Sequence, residues 1–282
     1  MNLSVVLPAK NESGAIGQTI AQIQQLQFAH EIIVINDGST DNTAQVAEEA
    51  GAKVITHPYS KGNGAAIKTG ARTAIGDVII FMDADGQHDP QDIPKLLEKI
   101  NQGYDLVVGA RQKGSQASVG RGIANTLYNS LATYMTEQKV EDLTSGFRAV
   151  RADKFREFLY LLPNGFSYPT TSTMAFFRAG YSVSYVPIQA AKRIGKSHIQ
   201  PLKDGVRFFL IIFKIATLFS PLKMFLPISV ILFMMGTGWY GYTLYDFHRF
   251  TNMSALLYTG SIMIFLMGLI SEQITALMYK EK

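Results

Sequence analysis

Short apolar runs alternate with amphipathic stretches along the first half of the chain. The short runs predict buried β-strands, as at Leu3–Leu7 and Val78–Met82. The stretches between them repeat apolar residues with helical spacing, as at Ile16, Ile20 and Ile23. This alternation predicts an α/β fold with a parallel sheet that is covered by helices on both faces. Further strands are predicted at Glu31–Ile35, Lys53–Thr56, Leu106–Val108 and Val183–Val186, and helices from Ser13, over Asp41–Ala50 and Asn63–Ile75, from Asp89 and over Arg121–Tyr134.

Two long apolar segments follow near the end of the sequence. Met224–Tyr245 and Met253–Ile270, the second continuing to Tyr279, are each long enough to cross a hydrocarbon core of about 30 Å. The connection between them, Asp246–Asn252, is short and polar. The pattern predicts a hairpin of two transmembrane helices, at about residues 224–245 and 253–279. The alternative is a helical hairpin buried inside a soluble protein.

The segment before these helices is basic. Seven lysines and arginines lie between Lys192 and Lys223, with Asp204 as the one acidic residue and the apolar run Phe208–Phe213 among them. This mixture is typical of amphipathic helices in a lipid headgroup layer, and the alternative is an ordinary solvated basic face. The positive-inside rule predicts that the segment and the N-terminal region lie in the cytoplasm. We therefore expect an N-terminal domain over 1–190, a basic juxtamembrane segment over 191–221 and a hairpin over 222–282, in an integral membrane protein.

The overall composition excludes several classes of protein. The chain has 282 residues, with 26 Lys+Arg against 22 Asp+Glu, a net charge of +4 and a pI of about 9.1. That excess is too small to predict nucleic-acid binding, for which a concentrated basic face is the usual footprint. The absence of cysteine excludes disulfides, thiolate metal ligands and a cysteine nucleophile. The last quarter of the chain is almost uncharged, which argues against a purely soluble protein.

Candidate chemistry begins directly after the predicted strand Val78–Met82. The motif Asp83-Ala84-Asp85-Gly86-Gln87 places two carboxylates at the C-terminal end of that strand, the edge where open α/β sheets bind ligands. Such hard oxygen ligands suit Mg²⁺ or Mn²⁺, with a nucleotide diphosphate completing the coordination shell. Gln87 adds a neutral oxygen on the same turn. The alternative is an ordinary acidic loop.

Two further turns have candidate ligands. Asp37 ends the second predicted strand, and its carboxylate either accepts hydrogen bonds from a base or ribose or is a turn residue before Gly38. Lys61-Gly62-Asn63-Gly64 precedes a predicted helix and is similar to a phosphate cradle, because glycines allow close approach and a helix N-terminus favours anions. A glycine turn that happens to contain lysine is the alternative.

These motifs stand in a recognisable order along the chain. Together with Leu7-Pro8-Ala9-Lys10-Asn11-Glu12, Val108-Gly109-Ala110-Arg111 and Asp142-Leu143-Thr144-Ser145-Gly146-Phe147-Arg148, the sequence resembles family 2 glycosyltransferases. More closely, it is similar to the branch of dolichol-phosphate mannosyltransferases and bacterial polyprenyl-phosphate glycosyltransferases. The resemblance covers the whole chain, since bacterial members of the branch also end in juxtamembrane helices and two membrane spans. It implies a GT-A, Rossmann-like catalytic domain and an inverting transfer of one sugar, UDP- or GDP-linked, to polyprenyl phosphate.

The resemblance also implies roles for individual residues. It implies that residues at the ends of the first four strands bind the nucleotide sugar and that the acidic motif binds the metal. It also implies that arginines and their neighbours bind the acceptor phosphate. Arg193 matches a basic loop near the phosphates. The implied residues are Pro8, Ala9, Glu12, Asp37, Lys61, Asp83, Ala84 and Asp85 for the nucleotide sugar; Asp83, Asp85 and Gln87 for Mg²⁺ or Mn²⁺; Arg111, Arg121, Asn125, Arg148 and Lys196 for the acceptor; and Asp85, Asp142, Arg111 and Arg193 for catalysis.

Elementary chemistry agrees with such a reaction. A phosphomonoester has its second pKa near 6, so it is largely ionised at neutral pH and needs positioning more than a strong base. Arginines position a phosphate through bidentate hydrogen bonds. Asp142 then orients the acceptor or a sugar hydroxyl, with a general base as the alternative. Arg148 either binds a ligand or pairs with a carboxylate such as Asp142.

The sequence thus predicts a membrane enzyme whose partners are a nucleotide sugar, a polyprenyl phosphate and the lipid bilayer, with self-association left open. One alternative is a glycosyltransferase acting on another acceptor, such as a glycolipid, or a processive polysaccharide synthase. Processive synthases carry Gln-x-x-Arg-Trp on an interfacial helix, whereas the single tryptophan here, Trp239, lies in a predicted span. The other alternative is a non-catalytic scaffold that binds sugar nucleotides, against which Asp83, Asp85 and Gln87 argue.

Overall fold

The computed structural model describes residues 2–112, 119–165, 167–189, 213, 217 and 219–278, without the side chains of 119–124. The described chain forms two compact units, Met1–His198 and Ile199–Lys282. The predicted juxtamembrane segment 191–221 falls almost entirely outside the described residues, so its predicted helices stay predictions.

The first unit is built on one mixed sheet. Its described strands, in chain order, are β1 (Leu3–Ala9), β2 (Glu31–Asn36), β3 (Lys53–Thr56), β4 (Val78–Phe81), β5 (Leu106–Arg111), β6 (Arg148–Arg151) and β7 (Val183–Ile188). They are ordered β3-β2-β1-β4-β6-β5-β7 across the sheet. The helices are α1 (Ile16–Gln25), α2 (Thr43–Glu49), α3 (Asn63–Thr73), α4 (Ile93–Asn101), α5 (Val119–Thr136), α6 (Ala152–Glu157) and α7 (Tyr168–Arg178).

The predicted α/β fold is confirmed, but the prediction of a fully parallel sheet is wrong for one strand. β6 runs antiparallel between β4 and β5, whereas the other pairings are parallel. The reason is the connection: a long excursion through α5 brings the chain back to the sheet edge where β5 ended, so the returning strand runs in the opposite direction. β6 thereby starts, rather than ends, at the edge where the parallel strands finish.

The core explains why these segments are strands. The side chains of β1, β2 and β4 are almost all buried, which fits near-continuous apolar runs covered on both faces. Helix α1 buries Ile16, Ile20 and Ile23 against them, as the spacing predicts. The predicted cap at Asp89 is also present: its carboxylate accepts a hydrogen bond from the Gln91 backbone N–H, although the first turn is a short 3-10 helix.

The second unit is a hairpin of α8 (Pro221–Phe247) and α9 (Asn252–Met278). Each helix has 27 residues, which at 1.5 Å per residue gives roughly 40 Å, more than the hydrocarbon core of a bilayer. Both are long and apolar enough to cross a membrane, and most of their apolar side chains are exposed. A hairpin buried inside a soluble protein would not expose them, so the hairpin prediction is confirmed and the protein is membrane-associated.

Small and polar residues line the contact between α8 and α9. Ser229 and Ser261 each donate a hydrogen bond to the other's backbone carbonyl, with oxygen–oxygen distances of 3.0 and 2.9 Å. Close approach through small residues and such interhelical hydrogen bonds are the usual means by which helices associate in lipid. The buried stripe repeats every seven residues, at Ser229, Gly236 and Thr243 on α8 and at Ser254, Ser261, Gly268 and Thr275 on α9.

Candidate active site

The strand order brings the predicted motifs to one edge of the sheet. β1, β2, β4 and β5 end there, and β6 begins there because it is antiparallel. Register places Ala9 beside Asn36, and Arg148 between Phe81 of β4 and Val108 of β5. The segments after Ala9, Asn36 and Phe81 and the segment before Arg148 therefore share one edge, the location at which open α/β sheets bind ligands.

Asp37 organises the turn that contains Lys61. Its carboxylate accepts hydrogen bonds of 2.7 to 2.8 Å from the His57 ring, the Ser60 hydroxyl and the backbone N–H groups of Lys61 and Gly62. Burial alone would raise the pKa of Asp37, but these hydrogen bonds, that from His57 first, outweigh it and leave the pKa lowered. The carboxylate therefore stays ionised and holds the 57–62 turn against the end of β2. Its predicted contact with a base or ribose stays a prediction.

The turn after β1 is fixed to the same region. The Ala9 carbonyl accepts a hydrogen bond of 2.9 Å from the Asp37 N–H, and the Glu12 N–H donates to the Thr43 hydroxyl at 2.9 Å. Asn11 adopts a left-handed conformation, with a φ of 57°, and its side-chain oxygen accepts from the Thr40 N–H at 2.8 Å. The predicted nucleoside segment Pro8–Glu12 thus lies beside Asp37, as one nucleotide site would require.

Asp83 and Asp85 project from the end of β4. Asp85 is buried, and one of its oxygens accepts from the Gln87 N–H at 3.1 Å. Asp83 is partly exposed and lies against the backbone of Gly146: a Cβ on Gly146 would approach an Asp83 oxygen to 2.8 Å. A side chain at position 146 would therefore require the Asp83 carboxylate to shift. Ala84, between the two carboxylates, is buried and small.

The residues of this motif fit a divalent metal. Among the described residues there is no group of three or more His, Cys, Asp or Glu side chains that would enclose an ion. Mg²⁺ and similar ions are usually held by one or two carboxylates, with substrate phosphates and waters supplying the other oxygens. Two carboxylates and the Gln87 amide match that donor set. His88 lies next to it, with Nε2 3.5 Å from an Asp83 oxygen and a buried Nδ1 that lacks a partner among the described residues.

Arg111 and Asp142 form a two-point ion pair on the other side of the site. Arg111 Nε and Nη2 donate to the two Asp142 oxygens at 2.8 and 3.0 Å, and the Arg111 N–H also donates to Asp142 at 3.2 Å. The Asp142 side chain is 2% exposed and that of Arg111 27%. Burial alone would raise the pKa of Asp142, but the hydrogen bonds and charge of Arg111 outweigh it and leave the pKa lowered. Asp142 is thus an ionised partner that orients Arg111.

Thr144 extends this ion pair toward Asn125. Arg111 Nη2 donates to the Thr144 hydroxyl at 2.6 Å, and the hydroxyl is 2.9 Å from the Asn125 side-chain oxygen. Two residues predicted to bind the acceptor phosphate, Arg111 and Asn125, are therefore connected through Thr144. The side chain of Arg121 and the residues Arg193 and Lys196 lie outside the described residues. Their predicted roles stay predictions.

Arg148 faces the interior instead of the open edge. The residue has 0% exposure, and its guanidinium donates to the Pro169 carbonyl at 2.9 Å and the Ser172 hydroxyl at 2.8 Å. It forms no ion pair with Asp142 or any other described carboxylate, so the predicted pair is wrong, and burial lowers its pKa. Acceptor binding by Arg148 stays a prediction that requires these bonds to open.

Sequence reasoning missed three residues of the site. His57 and His88 are single histidines, and no spacing marks them, because their partners Asp37 and Asp83 are identified only by folding. Thr144 stood inside a motif that was recognised, but its contacts with Arg111 and Asn125 depend on the position of α5.

Comparison with known proteins agrees with this fold. Residues 4–159 match the family described as Glycosyl transferase family 2, and residues 220–277 match the GtrB C-terminal hairpin. The first match spans more than half of the chain, which therefore belongs to glycosyltransferase family 2. The predicted resemblance and the GT-A type of fold are confirmed.

Individual relatives extend the similarity. Glycosyltransferase AglJ of Haloferax volcanii is 27% identical over 289 aligned residues, 97% of this chain and 93% of that protein. Dolichyl-phosphate hexose transferase of the same organism is 31% identical over 206 residues, 72% of this chain and 89% of that protein. A crystal structure of glucosyl-3-phosphoglycerate synthase from Mycobacterium tuberculosis with Mn²⁺, UDP-glucose and phosphoglyceric acid has a TM-score of 0.61 and 27% identity, covering 76% of this chain and 78% of that one.

Proposed function

We propose that this protein transfers a single sugar from a nucleotide diphosphate sugar to a polyprenyl phosphate, with inversion at the anomeric carbon. The observation that carries the proposal is one sheet edge with a carboxylate pair and an oriented arginine, in a family 2 glycosyltransferase that also has a hairpin long enough to span a membrane. The relative named dolichyl-phosphate hexose transferase is named for such a transfer and supports the proposal.

On the donor side, Asp83, Asp85 and Gln87 are the residues that would hold Mg²⁺ or Mn²⁺. When bound, the metal supplies Lewis-acid stabilisation of the leaving nucleoside diphosphate. The Asp37-centred turn at 57–62 and the Pro8–Glu12 segment form the walls for a UDP- or GDP-linked nucleoside. Lys61 faces the phosphates from that turn, as the resemblance implies.

On the acceptor side, Arg111 receives the phosphate. Its bonds to Asp142 and Thr144 use Nε and Nη2, and no described residue accepts a hydrogen bond from Nη1. Asp142 is buried, paired and held ionised, whereas an efficient general base has a pKa near the operating pH. Because the acceptor phosphate is itself largely dianionic, it attacks without losing a proton, and Asp142 acts by positioning Arg111. Arg121, Asn125, Arg193 and Lys196 complete the acceptor and diphosphate contacts.

The domain organisation serves this chemistry. A polyprenyl tail cannot leave the bilayer easily, since each CH₂ buried in apolar surroundings contributes about 0.8 kcal/mol. The enzyme therefore has to meet the phosphate at the membrane surface. We place the catalytic domain over 1–190 on the cytoplasmic face, the basic segment 191–221 at the headgroups and the hairpin 222–282 in the bilayer.

A donor screen tests the proposal. Purified full-length protein in lipid nanodiscs is incubated with UDP- and GDP-sugars, Mg²⁺ or Mn²⁺, and undecaprenyl phosphate, and release of the nucleoside diphosphate is measured. We expect release with at least one donor that depends on both lipid and metal. Release that is equal without lipid would indicate a hydrolase, and no release with any donor would favour a non-catalytic scaffold.

A further inference from the structure

A buried set of donors holds the loop that joins the two halves of the site. Three side chains donate hydrogen bonds to backbone carbonyls of the 142–147 loop. Arg148 donates to the Ser145 carbonyl, the Tyr168 hydroxyl donates to the Gly146 carbonyl at 2.9 Å, and the Thr170 hydroxyl contacts the Leu143 carbonyl at 3.5 Å. All three donors are buried, and the Arg148 guanidinium also lies 5.5 Å from the centre of the Tyr168 ring.

The opposite side of the same loop faces the candidate site. Asp142, at its start, holds Arg111, and Gly146, near its end, lies against the Asp83 carboxylate. Only about four residues separate these two contacts along the chain. Displacement of the loop would therefore move the acceptor arginine and the metal-side carboxylate together.

The environment of Arg148 is an unusual one for a purely structural residue. Its contacting acceptors are carbonyls and hydroxyls, and no described carboxylate pairs with it. Burial of a charge without a paired carboxylate is unfavourable unless hydrogen bonds compensate it. The Ser145 carbonyl of the 142–147 loop and the acceptors of α7 therefore compensate the burial of this charge together.

We propose that Arg148 is a positioning residue: from the interior it fixes the 142–147 loop, and through that loop it sets the distance between Arg111 and Asp83. The proposal rests on the function proposed above, because it assigns these two residues to the acceptor and donor sides of one reaction. It gives Arg148 a role without direct contact with the acceptor phosphate.

The test is Arg148→Met, which keeps much of the side-chain volume and removes the donors. Arg151→Met is the matched control, because Arg151 is at the other end of β6 and donates to the Ile100 carbonyl at 3.3 Å, away from the loop. Three quantities are measured on the full-length protein: the melting temperature, hydrogen–deuterium exchange of residues 142–147 without substrates, and kcat and KM for undecaprenyl phosphate.

For Arg148→Met we expect faster exchange in the 142–147 loop and a kcat lower by about 10²-fold, the loss typical of a misplaced reacting group. The melting temperature should fall, because the buried Ser145 and Pro169 carbonyls lose their donor. Arg151→Met is expected to leave exchange of the loop and kcat unchanged. Unchanged loop exchange in Arg148→Met would overturn the proposal. So would a raised KM for the lipid with normal kcat and normal exchange, the result expected if Arg148 bound the phosphate directly.

Tyr168→Phe provides a second test if Arg148→Met does not fold. It removes one oxygen and the hydrogen bond to the Gly146 carbonyl, and we expect faster loop exchange and a kcat reduced roughly fivefold, the equivalent of one hydrogen bond. Wild-type exchange and kcat in this variant would overturn the proposal. The exchange measurement needs no substrate, so a wild-type protein without transferase activity would refute the proposed function while the loop is still tested.

Discussion

Replacement of Asp142 by asparagine separates a positioning role from a role as general base. The substitution preserves the size of the side chain and removes its charge. In the wild type, the carboxylate receives two bonds from the Arg111 guanidinium and one from the Thr144 N–H at 3.1 Å. In Asp142→Asn, one of the two oxygens becomes an amide group, which cannot accept a hydrogen bond from Arg111.

The expected loss of stability in Asp142→Asn follows from the burial of the Arg111–Asp142 ion pair. Removal of one partner of a fully buried ion pair costs about 3–5 kcal/mol. The Arg111 side chain is 27% exposed, so water compensates part of its charge, and we expect a loss of roughly 2 kcal/mol in the free energy of unfolding. For a chain of this size that corresponds to a fall of about 4–8 °C in melting temperature. Misorientation of Arg111 lowers kcat by about 10²-fold.

The assay is the pH dependence of kcat/KM for the lipid acceptor. With a positioning role, wild type and Asp142→Asn both show activity rising as the acceptor phosphate ionises, near pH 6, and differ by a constant factor. Glu141→Gln is the matched control, because Glu141 is the adjacent carboxylate and pairs with Lys139 on the surface. We expect it to behave as the wild type. Full activity in Asp142→Asn, or a pH profile that changes shape, would refute the positioning role.

Three further predictions follow from other parts of the structure. Asp85→Asn removes a ligand charge, so Mn²⁺ affinity measured by titration should fall at least about tenfold, and unchanged affinity would exclude Asp85 as a ligand. The pKa of Asp37 is lowered in the folded protein, so the ionised carboxylate stabilises the fold above the ordinary aspartate pKa of about 3.9 and this stability is lost as pH falls through the lowered value. The melting temperature of Asp37→Asn should therefore lie below the wild type at pH 7 and approach it at pH 3, and a constant difference would contradict the hydrogen-bonding account. Gly268→Leu should destabilise the hairpin by about 1–3 kcal/mol, since a Cβ there would lie 2.7 Å from Phe225 Cβ, whereas Gly260→Leu, which has open space, should not.

The strands and the hairpin could be predicted because their signals are local. Each of β1, β2 and β4 is a run of apolar residues that are buried on both faces, and the hairpin has two long segments almost without charge. β6 has no such signal. Its sequence Arg-Ala-Val-Arg is four residues long with a charge at each end, and the pairing with β4 and β5 depends on distant parts of the chain.

The candidate site likewise contains residues whose position could be predicted from local sequence and residues whose position could not. The position of Asp83 and Asp85 could be predicted, because residues that follow a buried strand of an open α/β sheet lie at the edge where such sheets bind ligands. The orientation of Arg148 was not predictable, since an arginine next to the Ser-Gly-Phe motif is expected at the surface. Burial of its guanidinium depends on hydroxyl and carbonyl groups from α7, about twenty residues later in the chain.

The mass of the lipid product shows whether the enzyme transfers a single sugar to polyprenyl phosphate. Full-length protein in nanodiscs is supplied with the donor identified in the screen, the divalent metal and undecaprenyl phosphate, and the lipid fraction is analysed by mass spectrometry. We expect one product, heavier than the acceptor by a single sugar residue, formed in equal amount to the nucleoside diphosphate released. A ladder of products with increasing numbers of sugars, or nucleoside diphosphate released without a glycosylated lipid, would contradict it.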